Sequence, residues 1–238
     1  MPPITISQLR AVFSPANQAT HVDNLGNYFT WNGTGRSGSL FETFGGRGDT
    51  GPDSDRFTYA DCLAPSFLSA PMPAEGTYRL VEGNLAQSSQ VFLSNIPTNV
   101  SLDAAQWVNF GNTIDTLFQN LKGIDGVAWV IASKLIARKR PQLVPIQDRV
   151  LYDAFGYAQT CLAADTWEHL ANLVSDLQIR TALQTIQSAA IRQFTPALYP
   201  QALNLAGLST LSLIRVLDIC VWEEHQGHRG NKPATCLF

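Results

Sequence analysis

Apolar residues recur at three- and four-residue intervals along most of the chain from Arg56 onward, the spacing of one buried helical face. Phe57, Ala60, Ala64, Phe67 and Leu68 share such a face, which Pro71 and Pro73 end. Tyr78 to Leu93 reads as a second helix with Gly83 as its weak point. Ser101-Leu102-Asp103-Ala104 opens a stronger one, in which Trp107, Phe110, Ile114, Leu117, Phe118 and Leu121 form a stripe that Gly123 closes. Val127 to Arg138 follows, and then Pro141 and Pro145 impose extended backbone on the residues before them. A helix is predicted from near Asp148, one from Asp165 through Leu177, one over Leu183–Phe194 and a last one over Ser209–Glu224.

Residues 1–55 have a different texture. Gly, Asn, Ser and Thr dominate, yet Tyr28, Phe29, Trp31, Phe41 and Phe44 recur among them, more aromatics than a disordered tract carries. The pattern predicts a mainly α fold with an irregular Gly-rich N-terminal segment (1–55) packed on a helical domain (56–226), followed by a flexible tail (227–238). No internal repeat or coiled-coil heptad is present. A chain of 238 residues can bury a substantial core as one large domain or two intimate subdomains.

Composition narrows the classes. Hydrophobic residues make up 45% and charged ones 15%, with no apolar run near the roughly 20 residues of a membrane span. MPPITISQLR lacks the basic-then-apolar order of a secretory signal, so a cytoplasmic protein without a membrane partner is expected. Cys62, Cys161, Cys220 and Cys236 show no paired short spacing, and His21, His169, His225 and His228 form no ligand set; neither metal nor cofactor is expected. No Gly-x-Ser-x-Gly elbow supports acyl transfer. The net charge of −3 does not suggest nucleic acid, but Lys134, Arg138, Lys139, Arg140 and Arg149 concentrate positive charge in one segment.

The stretch Leu121–Arg149, LKGIDGVAWVIASKLIARKRPQLVPIQDR, resembles the helix-hairpin-helix DNA glycosylases. In that family a Leu-Pro-Gly-Val-Gly turn precedes a helix and a catalytic Asp. Leu121 and Gly126-Val127 match the turn, whereas Asp125 replaces its Pro and Ala128 its second Gly. Val130 occupies the place of the Schiff-base lysine of bifunctional members, and the interval from Val130 to Asp148 agrees with the family's lysine-to-aspartate spacing. Ser133 to Pro141 with Pro145 and Asp148 also resembles a poorly characterised bacterial family with a Lys-Leu-Leu-Ala-Arg-Lys-Arg-Pro segment. Leu217-Asp218-Ile219-Cys220-Val221-Trp222 matches a second block of that family.

The resemblance implies a two-lobed helical fold and a DNA N-glycosylase, a hydrolase with double-stranded DNA as partner, acting as a monomer. Asp148 would steady the sugar cation and orient water, or else only cap the helix it begins. With Val130 unable to form an imine, no lyase step is expected. Gly123, Gly126, Val127 and Ala128 would bring backbone N–H groups to a phosphate, and Lys134, Arg138, Lys139, Arg140 and Arg149 would neutralise others. An extruded base would meet Tyr28, Phe29, Trp31, Trp129 and Trp222, with Arg36, Glu42 and Asp218 as polar partners. The substrate would be a damaged or modified base, in repair or in defence against modified phage DNA. Two other readings are a non-catalytic DNA-binding hairpin and a small-molecule nucleoside N-glycosidase.

Overall fold

Five of the helices begin at a side chain that takes up a free backbone N–H: Thr5, Thr58, Asp103, Asp148 and Asp176. The computed structural model describes residues 3–158 and 163–229. Helix α1 (Ile6–Val12) begins at a capping box made by Thr5 and Gln8, and α2 spans Gln18–Thr30. A second capping box, Thr58 with Asp61, opens α3 (Tyr59–Leu63). Helix α4 is Ala74–Val81 and α5 is Ala86–Ser94. Asp103 caps α6 (Ala104–Lys122), which is followed by α7 (Trp129–Lys139). Asp148 caps α8 (Arg149–Phe155). Then come α9 (Ala163–Val174), α10 (Leu177–Gln193, capped by Asp176) and α11 (Leu213–Arg229). The described residues contain no β-strand, so the fold is mainly α as the periodicity predicts.

Helix α2 packs on α10 and α11, while α6 packs on α7 and α9. Helix α8 packs on α11, and contacts of α9 with α10 join the two groups. A continuous core from Leu9 and Phe29 through Phe118 and Trp167 to Val216 and Val221 runs between them.

Several boundaries depart from the periodic reading. The N-terminal segment is irregular only from Trp31: His21, Val22, Leu25, Tyr28 and Phe29 share a buried helical face that the intervening Asp23, Asn24, Gly26 and Asn27 disguise. Tertiary burial against α10 and α11 outweighs their low propensity. Pro65 tightens the 57–68 helix into α3 followed by a 3₁₀ segment, and the 78–93 helix divides near Gly83 into α4 and α5. The last helix starts at Leu213, because 205–210 is 3₁₀ and Leu211 is extended. It also continues to Arg229, so 227–229 are helical. The rest of the expected tail, 230–238, lies outside the described residues, as do Cys161 and Cys236.

Candidate active site

The basic cluster at the end of α7 faces inward. The Arg138, Lys139 and Arg140 side chains are almost fully sealed, at 1%, 1% and 0% exposure. Arg138 Nε donates to Asp61 Oδ1 at 3.2 Å, and its terminal nitrogens donate to the Phe41 and Phe44 carbonyls. Lys139 Nζ donates to Asp61 Oδ2 at 3.0 Å and to the Asp53 carbonyl at 2.7 Å. Arg140 donates to Asp55 Oδ1 at 2.6 Å, to the Ser54 carbonyl at 2.8 Å, and to the Leu93 and Ile96 carbonyls.

This overturns the expected phosphate role of these three side chains. Their donors instead go to backbone carbonyls of the irregular 41–55 segment and of the end of α5. Burial pulls all three cations below their ordinary pKa, with Asp61 or Asp55 opposing that pull.

The turn between α6 and α7 has the expected helix–turn–helix path. Buried Ile124 and Val127 anchor it, leaving Gly123, Asp125, Gly126 and Ala128 exposed. Gly126 has φ +75°, and a Cβ there would meet Pro73 Cγ at 2.9 Å, so any side chain at this position is strained on two counts. Ala128 supplies no side-chain cap, which leaves the first N–H groups of α7 without a capping acceptor.

A cleft of about 490 Å³ gathers Tyr28, Arg36, Lys134, Asp148, Arg149, Asp218 and Trp222, drawn from α2, the loop after it, α7, α8 and α11. Asp148 reaches it because Pro145 and Pro141 keep the preceding segment out of helix, and Gln147 is pinned by Ser133 and Thr166. Its Oδ1 accepts from Leu151 N–H at 3.0 Å as the cap of α8. No other hydrogen bond to the carboxylate is made by the described residues, and Asp148 is half-buried.

Lys134 stands deeper. It is 3% exposed and its Nζ donates to the Leu68 carbonyl at 2.9 Å. Burial lowers its pKa to about 8; Asp148 raises it and Arg215 lowers it further.

Arg215 was not singled out by the sequence, although a lone cation in the apolar run of α11 with Asp218 three residues on was a usable signal. It binds Glu42 and Asp218 and donates to Tyr28 Oη at 2.9 Å. Burial raises the Tyr28 phenol to about 12. Arg36 lies 4.0 Å over the Trp31 ring and forms a forked pair with Glu223 at 2.9 and 3.1 Å. Gly38 permits this arrangement, since a Cβ there would fall 2.0 Å from Tyr28 Oη. At the mouth, the Arg149 side chain is 77% exposed.

Other expected pocket residues lie elsewhere. Phe29 is fully buried in the core, because it points from α2 toward the helices rather than the cleft. Glu42 sits behind the cleft wall as the partner of Arg215, and Trp129 packs on Tyr152 with ring centroids 5.0 Å apart. Trp31 is 46% exposed and touches the cleft only through Arg36.

These features define a mainly helical protein with a charged, aromatic-walled cleft built around Asp148 and Lys134. Residues 21–225 match a family described as a family of unknown function, DUF6308, and the chain belongs to that family. No curated protein and no solved structure matches it. Among the described residues no helix is long and apolar enough to cross a membrane.

Proposed function

We propose that this protein is a monofunctional DNA N-glycosylase that hydrolyses the bond between a modified or damaged base and its sugar. One observation carries the proposal: Asp148 spends Oδ1 on the helix cap while lining a cleft with cations and aromatic rings. A carboxylate held in that way can steady an oxocarbenium-like sugar and orient the attacking water. The exposed Gly123–Ala128 turn, with uncapped N–H groups at the start of α7, supplies a phosphate contact of the kind the resemblance implies. Tyr28, Trp222 and Arg36 offer the walls for an extruded base, and Arg149 a cation at its edge.

The test is incubation of wild-type protein and Asp148→Asn with phage and plasmid DNA bearing modified bases, followed by measurement of abasic sites. Sites made by the wild type and abolished in the variant support the proposal; intact DNA throughout a broad panel refutes it. A biological effect that survives Asp148→Asn points to a non-catalytic binding module instead.

A second reading, a small-molecule nucleoside N-glycosidase, is favoured by the burial of Arg138, Lys139 and Arg140, which removes the strongest basic patch from the surface. Release of free base from nucleosides, with no salt-sensitive DNA binding, would select it.

A further inference from the structure

The strongest unassigned group is the Lys134 amine. Its single hydrogen bond among the described residues goes to the Leu68 carbonyl, and no carboxylate lies within ion-pair distance of it, so protons remain to be donated into the cleft. Buried cations usually have a carboxylate partner, as Arg138, Lys139 and Arg215 do. Lys134 does not.

Exposure grades the cleft from rim to floor: Arg149 projects into solvent, Asp148 is half-buried, and Lys134 is 3% exposed. A nucleotide entering sugar-first contact with Asp148 would therefore carry its base toward Lys134. The charged and titratable groups that line the cleft with the amine are Asp148 and Arg149 at the start of α8, Arg215 and Asp218 on α11, Arg36 in the loop after α2 and the Tyr28 phenol on α2, of which Asp148 and Arg215 act on the amine directly.

Resting on the glycosylase reading, we propose that Lys134 is the acid partner of Asp148 and that the substrate is a neutral base presenting a carbonyl or ring-nitrogen acceptor. As the C1′–N bond breaks, its electron pair passes to the base. The Lys134 ammonium gives a proton to the acceptor atom. Water adds hydroxide to C1′ and gives its proton to Asp148, and solvent restores both groups. A cationic N-alkylated base is disfavoured twice, because it needs no such proton and because Lys134 and Arg215 repel it. The lowered pKa of the amine suits proton donation near neutral pH.

The experiment uses duplex oligonucleotides, each with one uracil, 5-hydroxymethyluracil, 8-oxoguanine or 7-methylguanine, and full-length protein as wild type, Lys134→Met and Lys134→Arg. Abasic sites are measured from pH 6 to 10, alongside the pH dependence of acylation of the Lys134 amine. The expected result is cleavage of an oxo-base, at least 100-fold slower in Lys134→Met and partly restored in Lys134→Arg. Wild-type rates should fall as the amine deprotonates, in step with its acylation curve. Equal rates in wild type and Lys134→Met, or preference for 7-methylguanine, overturn this inference while leaving the glycosylase reading intact. No cleavage of any of these duplexes by the wild type overturns this inference, and modified phage DNA left intact as well overturns the glycosylase reading.

Discussion

Asp61 and Arg138 meet at 3.2 Å with both side chains sealed from solvent, and Lys139 shares the same carboxylate. Asp61 thereby balances two adjacent buried cations while also closing the capping box of α3. Removing one partner of a buried ionic group leaves uncompensated charge inside the protein. Asp61→Asn should therefore destabilise the fold by about 3–5 kcal/mol, read as a lower urea midpoint.

Asp148 separates capping from chemistry. Asparagine caps a helix about as well as aspartate, so Asp148→Asn should keep stability within about 0.5 kcal/mol, whereas Asp148→Ala should cost about 1 kcal/mol. Both variants should lose base release if the glycosylase proposal holds. Thermal unfolding beside an abasic-site assay checks the two arms.

Lys134 carries a stability cost with a definite pH sign. Its folded pKa, about 8, lies below the ordinary lysine value, so the folded state holds fewer protons than the unfolded state above that point. The penalty for burying the charge is fully present below about pH 8 and shrinks as pH rises toward the unfolded value. Lys134→Met should thus be more stable than wild type at pH 7, on the order of 1–2 kcal/mol after loss of the Leu68 contact. That advantage should narrow between pH 8 and 10; a constant difference would count against it.

Gly38 and Tyr28 should be energetically coupled. The Cβ of Gly38→Ala would lie 2.0 Å from Tyr28 Oη and 2.8 Å from Leu68 Cδ2, forcing the cleft wall to shift. A cost of about 1–3 kcal/mol is expected. Tyr28→Phe removes the clashing oxygen but leaves Arg215 without that acceptor. A double-mutant cycle should show favourable coupling of about 0.5–3 kcal/mol.

Gly126 is constrained by backbone and by space. Gly126→Ala must hold φ at +75° and press on Pro73, so a loss of about 1–2 kcal/mol is expected in thermal unfolding.

Much of the helical framework was legible in the chain itself. Periodic apolar stripes and local capping residues such as Asp103 and Asp148 act over one or two turns, and such short-range physics is written in adjacent residues. The Pro145-to-Asp148 approach was legible for the same reason, and seven of the expected site residues, from Tyr28 to Trp222, meet in one cleft.

Only the tertiary structure decided which way charge faces. Arg138, Lys139 and Arg140 look like any basic helix end until distant Asp55, Asp61 and the carbonyls of 41–54 are brought beside them. The same holds for α2, whose polar composition concealed a face that becomes helical by burial against α10 and α11. Side-chain periodicity is a local property, whereas desolvation and ion pairing depend on partners far along the chain, so sequence settled the helices and folding settled the roles of the cations.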